Sequence, residues 1–155
     1  MCLVIDPCSL ASVFNPKSQK YSEFLPVLRW ITRSSGRIIY GGRKYRVELT
    51  KMTRYFRIIN ELDRAGKVVK LNNSAVDKIA AELKAQVPDV QFNDEHIVAI
   101  VIVSRCKVVC SDDKESYPYI RRADLYPKGM KRPKIYRSKS HNQMCCKHNI
   151  VAACE

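Results

Sequence analysis

Asn93-Asp94-Glu95-His96-Ile97-Val98-Ala99-Ile100-Val101-Ile102-Val103 is the stretch whose reading decides the fold. Its β-branched content favours a strand. Its polar Asn-Asp start, and a second strand candidate at Lys107–Cys110 soon after it, favour a fully buried helix. On the sequence alone both readings stand, and the flanks decide the class. Upstream, Met1–Ile5 is a short apolar run cut off by Asp6-Pro7, as a buried strand would be. Tyr21, Phe24, Leu25, Leu28 and Ile31 recur at helical spacing within Ser18–Ser34, with Pro26 bending that helix or delaying its start. Arg37–Tyr40 is a strand candidate closed by Gly41-Gly42. Tyr45 to Leu62 then carries one apolar helical face up to Gly66, with Glu48 near its start. Val68–Leu71 is extended, and Ser74 is a candidate cap for a helix to about Ala85. Strands alternating with helices predict an α/β domain with a largely parallel sheet. Beyond Tyr117 the periodicity fades among Pro118, Pro127 and Pro133, and Ser140–Ala153 is a candidate terminal helix.

The 155 residues, 46% of them hydrophobic, allow one compact domain with a genuine core. Lys and Arg number 28 against 15 acidic residues, a net charge of +13 that points to a polyanionic partner. The charge is uneven: residues 16–71 carry +10 and residues 117–155 carry +7, while residues 72–116 carry −3. The longest apolar run, Ile97–Val103, is far short of the roughly 20 residues that cross a bilayer, so no membrane role is expected. The seven cysteines, an odd set without a secretory start, are read as reduced thiols, and the expected compartment is cytoplasmic.

The acidic island contains Asp94, Asp112 and Asp113. Taken singly these are caps and turns: Asp94 as a helix N-cap, Asp112-Asp113 as a turn. Taken together, Asp6 and the Asp112-Asp113 pair both end candidate strands, the edge of an open α/β sheet where ligands bind. Carboxylates gathered there repel one another unless a hard cation neutralises them, and an all-oxygen set suits Mg²⁺ or Mn²⁺.

The order Leu3-Val4-Ile5-Asp6, Glu48, Asn93-Asp94-Glu95-His96 and Val108-Val109-Cys110-Ser111-Asp112-Asp113-Lys114 resembles the PIN-domain nucleases, including VapC-like toxins. The resemblance covers residues 1–126 and leaves residues 127–155, a basic and Cys-rich extension, without a counterpart. It implies a three-layer α/β/α sandwich with a mainly parallel sheet, in which Asp6, Glu48, Asp94 and Asp113 form the catalytic set of a metal-dependent endoribonuclease. Asp6, Asp94 and one or both of Asp112 and Asp113 are then the metal ligands. The family's Ser or Thr, any residue, Asp pattern favours Asp113, while the position two after the first acid, often small and polar in the family, is Cys8 here. The expected partners are single-stranded or loop RNA, an acidic antitoxin-like protein, and a second copy in a homodimer.

Arg43, Lys44, Arg46 and Lys51 around Glu48, and Lys114 beside Asp113, are the candidate phosphate contacts. Tyr40, Tyr45 and Tyr55 are either core or stacking platforms for bases. Two further readings remain: a non-catalytic binder using the basic surface alone, and a zinc site from Cys145, Cys146, His148 and Cys154 with His141 nearby. The spacing of those tail residues is poor for one tetrahedral site.

Overall fold

The computed structural model describes residues 2–149 and 151–154. Five strands, β1 (Cys2–Ile5), β2 (Arg37–Tyr40), β3 (Val68–Lys70), β4 (Val108–Cys110) and β5 (Lys134–Tyr136), form one sheet in the order β3-β2-β1-β4-β5. Every pairing is parallel. Around it lie α1 (Leu10–Phe14), α2 (Tyr21–Arg33), α3 (Arg43–Lys51), α4 (Thr53–Arg64), α5 (Asn73–Gln86), α6 (Glu95–Ser104) and the short α7 (Tyr117–Ile120). Helices flank the sheet on both sides, giving a three-layer α/β/α sandwich as expected.

The chain lays down β1, β2 and β3 outward in one direction, then returns past β1 to add β4 and β5 on the other side. With right-handed crossovers, that reversal sends the helices before and after it to opposite faces. On one side α1 packs with α2 and α4; on the other, α6 packs with α5 and against β1 and β2.

The ambiguous stretch is a helix. His96–Val101 and Ser104 are buried and Glu95, Ile102 and Val103 half-buried, so no residue of α6 is fully exposed and the helix shows no amphipathic period. Such burial, with no exposed face to alternate against, lets β-branched residues sit in a helix despite their strand preference. Three other expectations are corrected. The face from Tyr45 to Leu62 is carried by two helices, broken at Met52, whose ψ of 69° is not helical. The same apolar spacing resumes after the break, which is why periodicity does not reveal it. α5 is capped by Asn72, whose side chain accepts from the Ala75 backbone N–H, and not by Ser74. The tail forms short 3₁₀ turns at Lys139–Met144, Lys147–Asn149 and Ala152–Cys154 in place of a terminal helix. Met1 and Ile150, which fall within two of the expected elements, lie outside the described residues.

β5 has no antecedent in the sequence reading, because its three residues follow Pro133 and are too few to show alternation. It pairs with β4 through Val109↔Ile135 and Cys110↔Tyr136, so the extension beyond residue 126 supplies an edge strand of the same sheet. Tyr136 anchors it, fully buried against Phe24 and donating to the Glu23 carbonyl at 2.9 Å.

The seven cysteines are not all free. Cys2 and Cys154 form a disulfide with Cα atoms 6.0 Å apart, tying the first strand to the end of the chain. The other five are free thiols. The pairing removes the ground on which the cysteines pointed to a reducing compartment. Among the described residues no helix is long and apolar enough to cross a membrane.

Candidate functional site

The direction of the chain reverses between β1 and β4, and in open α/β sheets the crevice at the carboxyl ends of such strands is where ligands bind. Ile5 pairs with Cys110, so the next residues, Asp6 and Ser111, emerge side by side there. Asp6 is 4% exposed. Its backbone N–H donates to the Cys110 carbonyl, and its carboxylate accepts from Ser111 Oγ at 2.9 Å and from the Cys8 N–H at 3.3 Å. Burial raises the Asp6 carboxyl above its ordinary range, against the opposing pull of these donors.

The turn after β4 sorts its two acids. Asp112 faces α1: Ser9 Oγ donates to it at 3.0 Å, Ser12 Oγ at 2.8 Å, and Lys20 pairs with it at 3.4 Å. Asp113 caps its own turn, its Oδ1 accepting from the Glu115 N–H at 2.9 Å. Its N–H donates to Ser111 Oγ, and its charge is among those acting on Asp94.

Asp94 stands at the N-cap of α6, yet its side chain makes no capping hydrogen bond. Its carboxyl is pushed up to about 6, by burial first and then by the neighbouring charge of Asp6, with Asp113 adding to it. Asp6, Asp94 and Asp113 therefore share one electrostatic neighbourhood, reached from three separate segments of the chain.

Glu48 arrives on α3. That helix is aimed by Gly42, whose φ of +85° suits glycine and whose Cβ position would lie 2.7 Å from Val76. The Gly42 N–H donates to Asn73 Oδ1 and the Arg43 N–H to Asp77 Oδ1. Two turns of packing then fix the helix: Tyr45 is wholly buried, donating its hydroxyl to the Ile5 carbonyl at 2.7 Å, and Leu49 is 1% exposed. Glu48 Oε2 lies 3.3 Å from His96 Nε2. Burial alone would raise the Glu48 carboxyl, but His96, Lys44 and Lys51 outweigh it and hold it below its ordinary value. Asp94 and Glu48 are thus pushed in opposite directions, which divides a protonatable from an ionised carboxylate.

The basic residues differ in availability. Lys44 is committed: it bonds the Asn93 carbonyl and side chain and pairs with Glu95 at 2.8 Å, strapping α3 to the turn that carries Asp94. Arg43 is highly exposed and leans on Asp77 at 3.6 Å. Arg46, Lys51 and Lys114 are exposed. Tyr40 and Tyr45 are core residues stacked on each other at 5.0 Å, so the base-platform reading does not hold for them. In the tail, Cys154 is consumed by its disulfide, which removes one of the four zinc donors considered above.

The serines that organise the acids, Ser9, Ser12 and Ser111, are absent from the sequence reading as site residues. Their signal was a hydroxyl three and six positions after Asp6 and another immediately before the Asp pair. Among the described residues no three His, Cys, Asp or Glu side chains stand close enough together to form a ready-made metal cage. Mg²⁺ does not need one: it keeps several waters and is commonly held by one or two carboxylates together with substrate phosphates. Carboxylates under mutual repulsion fit that ion, and one or two of Asp6, Asp94 and Asp113 would hold it.

Compared with models of protein families, with curated proteins and with solved structures, the chain matches none.

Proposed function

We propose that this protein is a divalent-metal-dependent ribonuclease that hydrolyses RNA phosphodiester bonds, as its resemblance to the PIN-domain nucleases implies. The observation that supports the reading is that Asp6, at the switch point of a parallel sheet, and Asp113 both act by charge on the half-buried Asp94, whose carboxyl is raised to about 6 by burial and like charge. A carboxylate left in that condition is a strong reason for a cation to bind.

When bound, Mg²⁺ or Mn²⁺ neutralises charge on the scissile phosphate and acidifies a water molecule. The protein's own groups do the rest. Ser111 and the Cys8 N–H fix the Asp6 carboxylate, and the buried α6 fixes Asp94. Glu48, kept ionised, is the group suited to orient the attacking water by accepting a hydrogen bond from it. Arg43, Arg46, Lys51 and Lys114 offset the repulsion between a carboxylate cluster and a polyanion. The products expected from the resemblance are a 5′-phosphate and a 3′-hydroxyl.

A second reading, a non-catalytic nucleic-acid binder, is favoured by the lack of a ready-made three-ligand cage among the described residues. One assay separates the two: a mixed single-stranded RNA pool with Mn²⁺, Mg²⁺ or EDTA, beside Asp94→Asn. Cleavage that needs metal and is lost in Asp94→Asn supports the nuclease. Metal-independent binding without cleavage under any condition selects the binder.

A further inference from the structure

A second feature opens on the other side of the Asp112 turn. Lys20, Asp112, Lys114, Tyr117, Arg137 and His141 are among the residues lining a cleft of about 650 Å³. One wall belongs to the first 126 residues and the other to the C-terminal extension. Its two carboxylates are already engaged: Asp112 by Ser9, Ser12 and Lys20, and Glu23 by the side chain and backbone N–H of Lys139. Its remaining cations are not. Among the described residues neither Lys114 nor Arg137 has a carboxylate partner within ion-pair distance, so the cleft is left with net positive charge.

Arg137 is also held in place. The pairing Cys110↔Tyr136 makes Arg137 the first residue past β5, in the same row along the sheet edge as Ser111 and Asp6. Its guanidinium lies 5.6 Å from the centre of the Tyr117 ring, and the Tyr117 hydroxyl donates to the Ser111 carbonyl at 2.9 Å. The residue that fixes Asp6 through its hydroxyl thus fixes, through its carbonyl, the ring on which Arg137 rests. A cation so tethered loses little freedom on binding, and a guanidinium fork matches a phosphate.

Resting on the reading of RNA as substrate, we propose that the C-terminal extension completes the substrate site: Arg137, seated on Tyr117, clamps a backbone phosphate of single-stranded RNA in the Lys20–Lys114–Arg137 cleft, beside the carboxylate cluster. The extension is then part of the binding machinery and Arg137 is a contact that the first 126 residues lack.

The test is binding of a fluorescein-labelled single-stranded RNA by anisotropy in EDTA, where no metal-dependent cleavage occurs, over a range of salt. Arg137→Ala is expected to weaken binding about tenfold at low salt and to lower the slope of log affinity against log salt by about 0.7. Arg137→Lys, which keeps the charge, recovers most of the slope. Inorganic phosphate competes with the RNA for the wild type and less well for Arg137→Ala. Arg64→Ala removes the same charge where α4 ends, before β3 begins and hence at the opposite edge of the sheet, and controls for net charge. An Arg137→Ala loss no larger than that of Arg64→Ala overturns the clamp even if the wild type cleaves RNA. An Arg137-specific loss in a wild type that never cleaves keeps the clamp and removes the nuclease. No RNA binding by the wild type removes both.

Discussion

Replacing Asp94 by Asn is expected to stabilise the metal-free protein. Burial, and after it the charge of Asp6, moves the Asp94 carboxyl from 3.8 to about 6. Between those values the folded protein binds a proton that the unfolded chain has released, so stability falls as pH rises through the window and the penalty is complete above it. A shift of about two units corresponds to about 3 kcal/mol at about 1.4 kcal/mol per unit. Asp94 is only partly buried, and solvent screening reduces the figure to about 1–2 kcal/mol. Asn has nearly the same shape, cannot ionise, and forfeits no capping bond because Asp94 makes none. In EDTA at about pH 7.5, above the window, Asp94→Asn is therefore expected to gain about 1–2 kcal/mol, a rise in Tm of roughly 3–6 °C for a chain of this size. At about pH 2.5, well below both values, where the carboxyl is protonated in the folded and the unfolded chain, the gain disappears. Urea unfolding followed through Trp30, the single tryptophan, reads the difference. A variant less stable than wild type near neutrality, or a gain that persists in acid, would refute the reasoning: the first makes Asp94 a structural cap, the second locates the gain somewhere other than its charge.

Tyr45→Phe removes the hydroxyl that donates to the buried Ile5 carbonyl next to Asp6, and is expected to cost about 1–2 kcal/mol in urea unfolding; an unchanged midpoint contradicts the role given to that bond. Reducing the Cys2–Cys154 disulfide, or replacing Cys154 by Ser, is expected to lower stability by about 2–4 kcal/mol, because the bridge closes nearly the whole chain into one loop. Equal thermal midpoints with and without dithiothreitol would show that the bridge does not constrain the protein.

Much of this fold is legible in the residues because its signals are local. β1 and β2 are short apolar runs ended by Asp6-Pro7 and Gly41-Gly42, and α2 and α5 keep one wet face, so period and punctuation mark them. α6 is a different case: packed against α5 and the sheet, it has no fully exposed residue, and its type follows only from what surrounds it. The break at Met52 leaves the apolar period intact, and β5 is a strand because β4 offers it an edge, not because its three residues ask to be one. At the candidate site, the acids were visible as strand ends and a helix start. Their division of labour was not: the turning of Asp112 toward Ser9 and Ser12 depends on hydroxyls about a hundred residues away in the chain, and the charge of Asp113 reaches Asp94 from a separate segment. Arg137 was invisible for the same reason, since only the register of β4 with β5 brings it to the row of Asp6.

The measurement that bears most directly on the central claim is Mn²⁺ binding by electron paramagnetic resonance, in the absence of RNA, to the wild type, Asp6→Asn, Asp113→Asn and Asp112→Asn. The account predicts that the wild type binds Mn²⁺, that Asp6→Asn and Asp113→Asn lose it, and that Asp112→Asn, altered on the α1 side of the turn, keeps it. Failure of the wild type to bind Mn²⁺, or binding that survives in Asp6→Asn and Asp113→Asn, would contradict a metal site at the junction of β1 and β4.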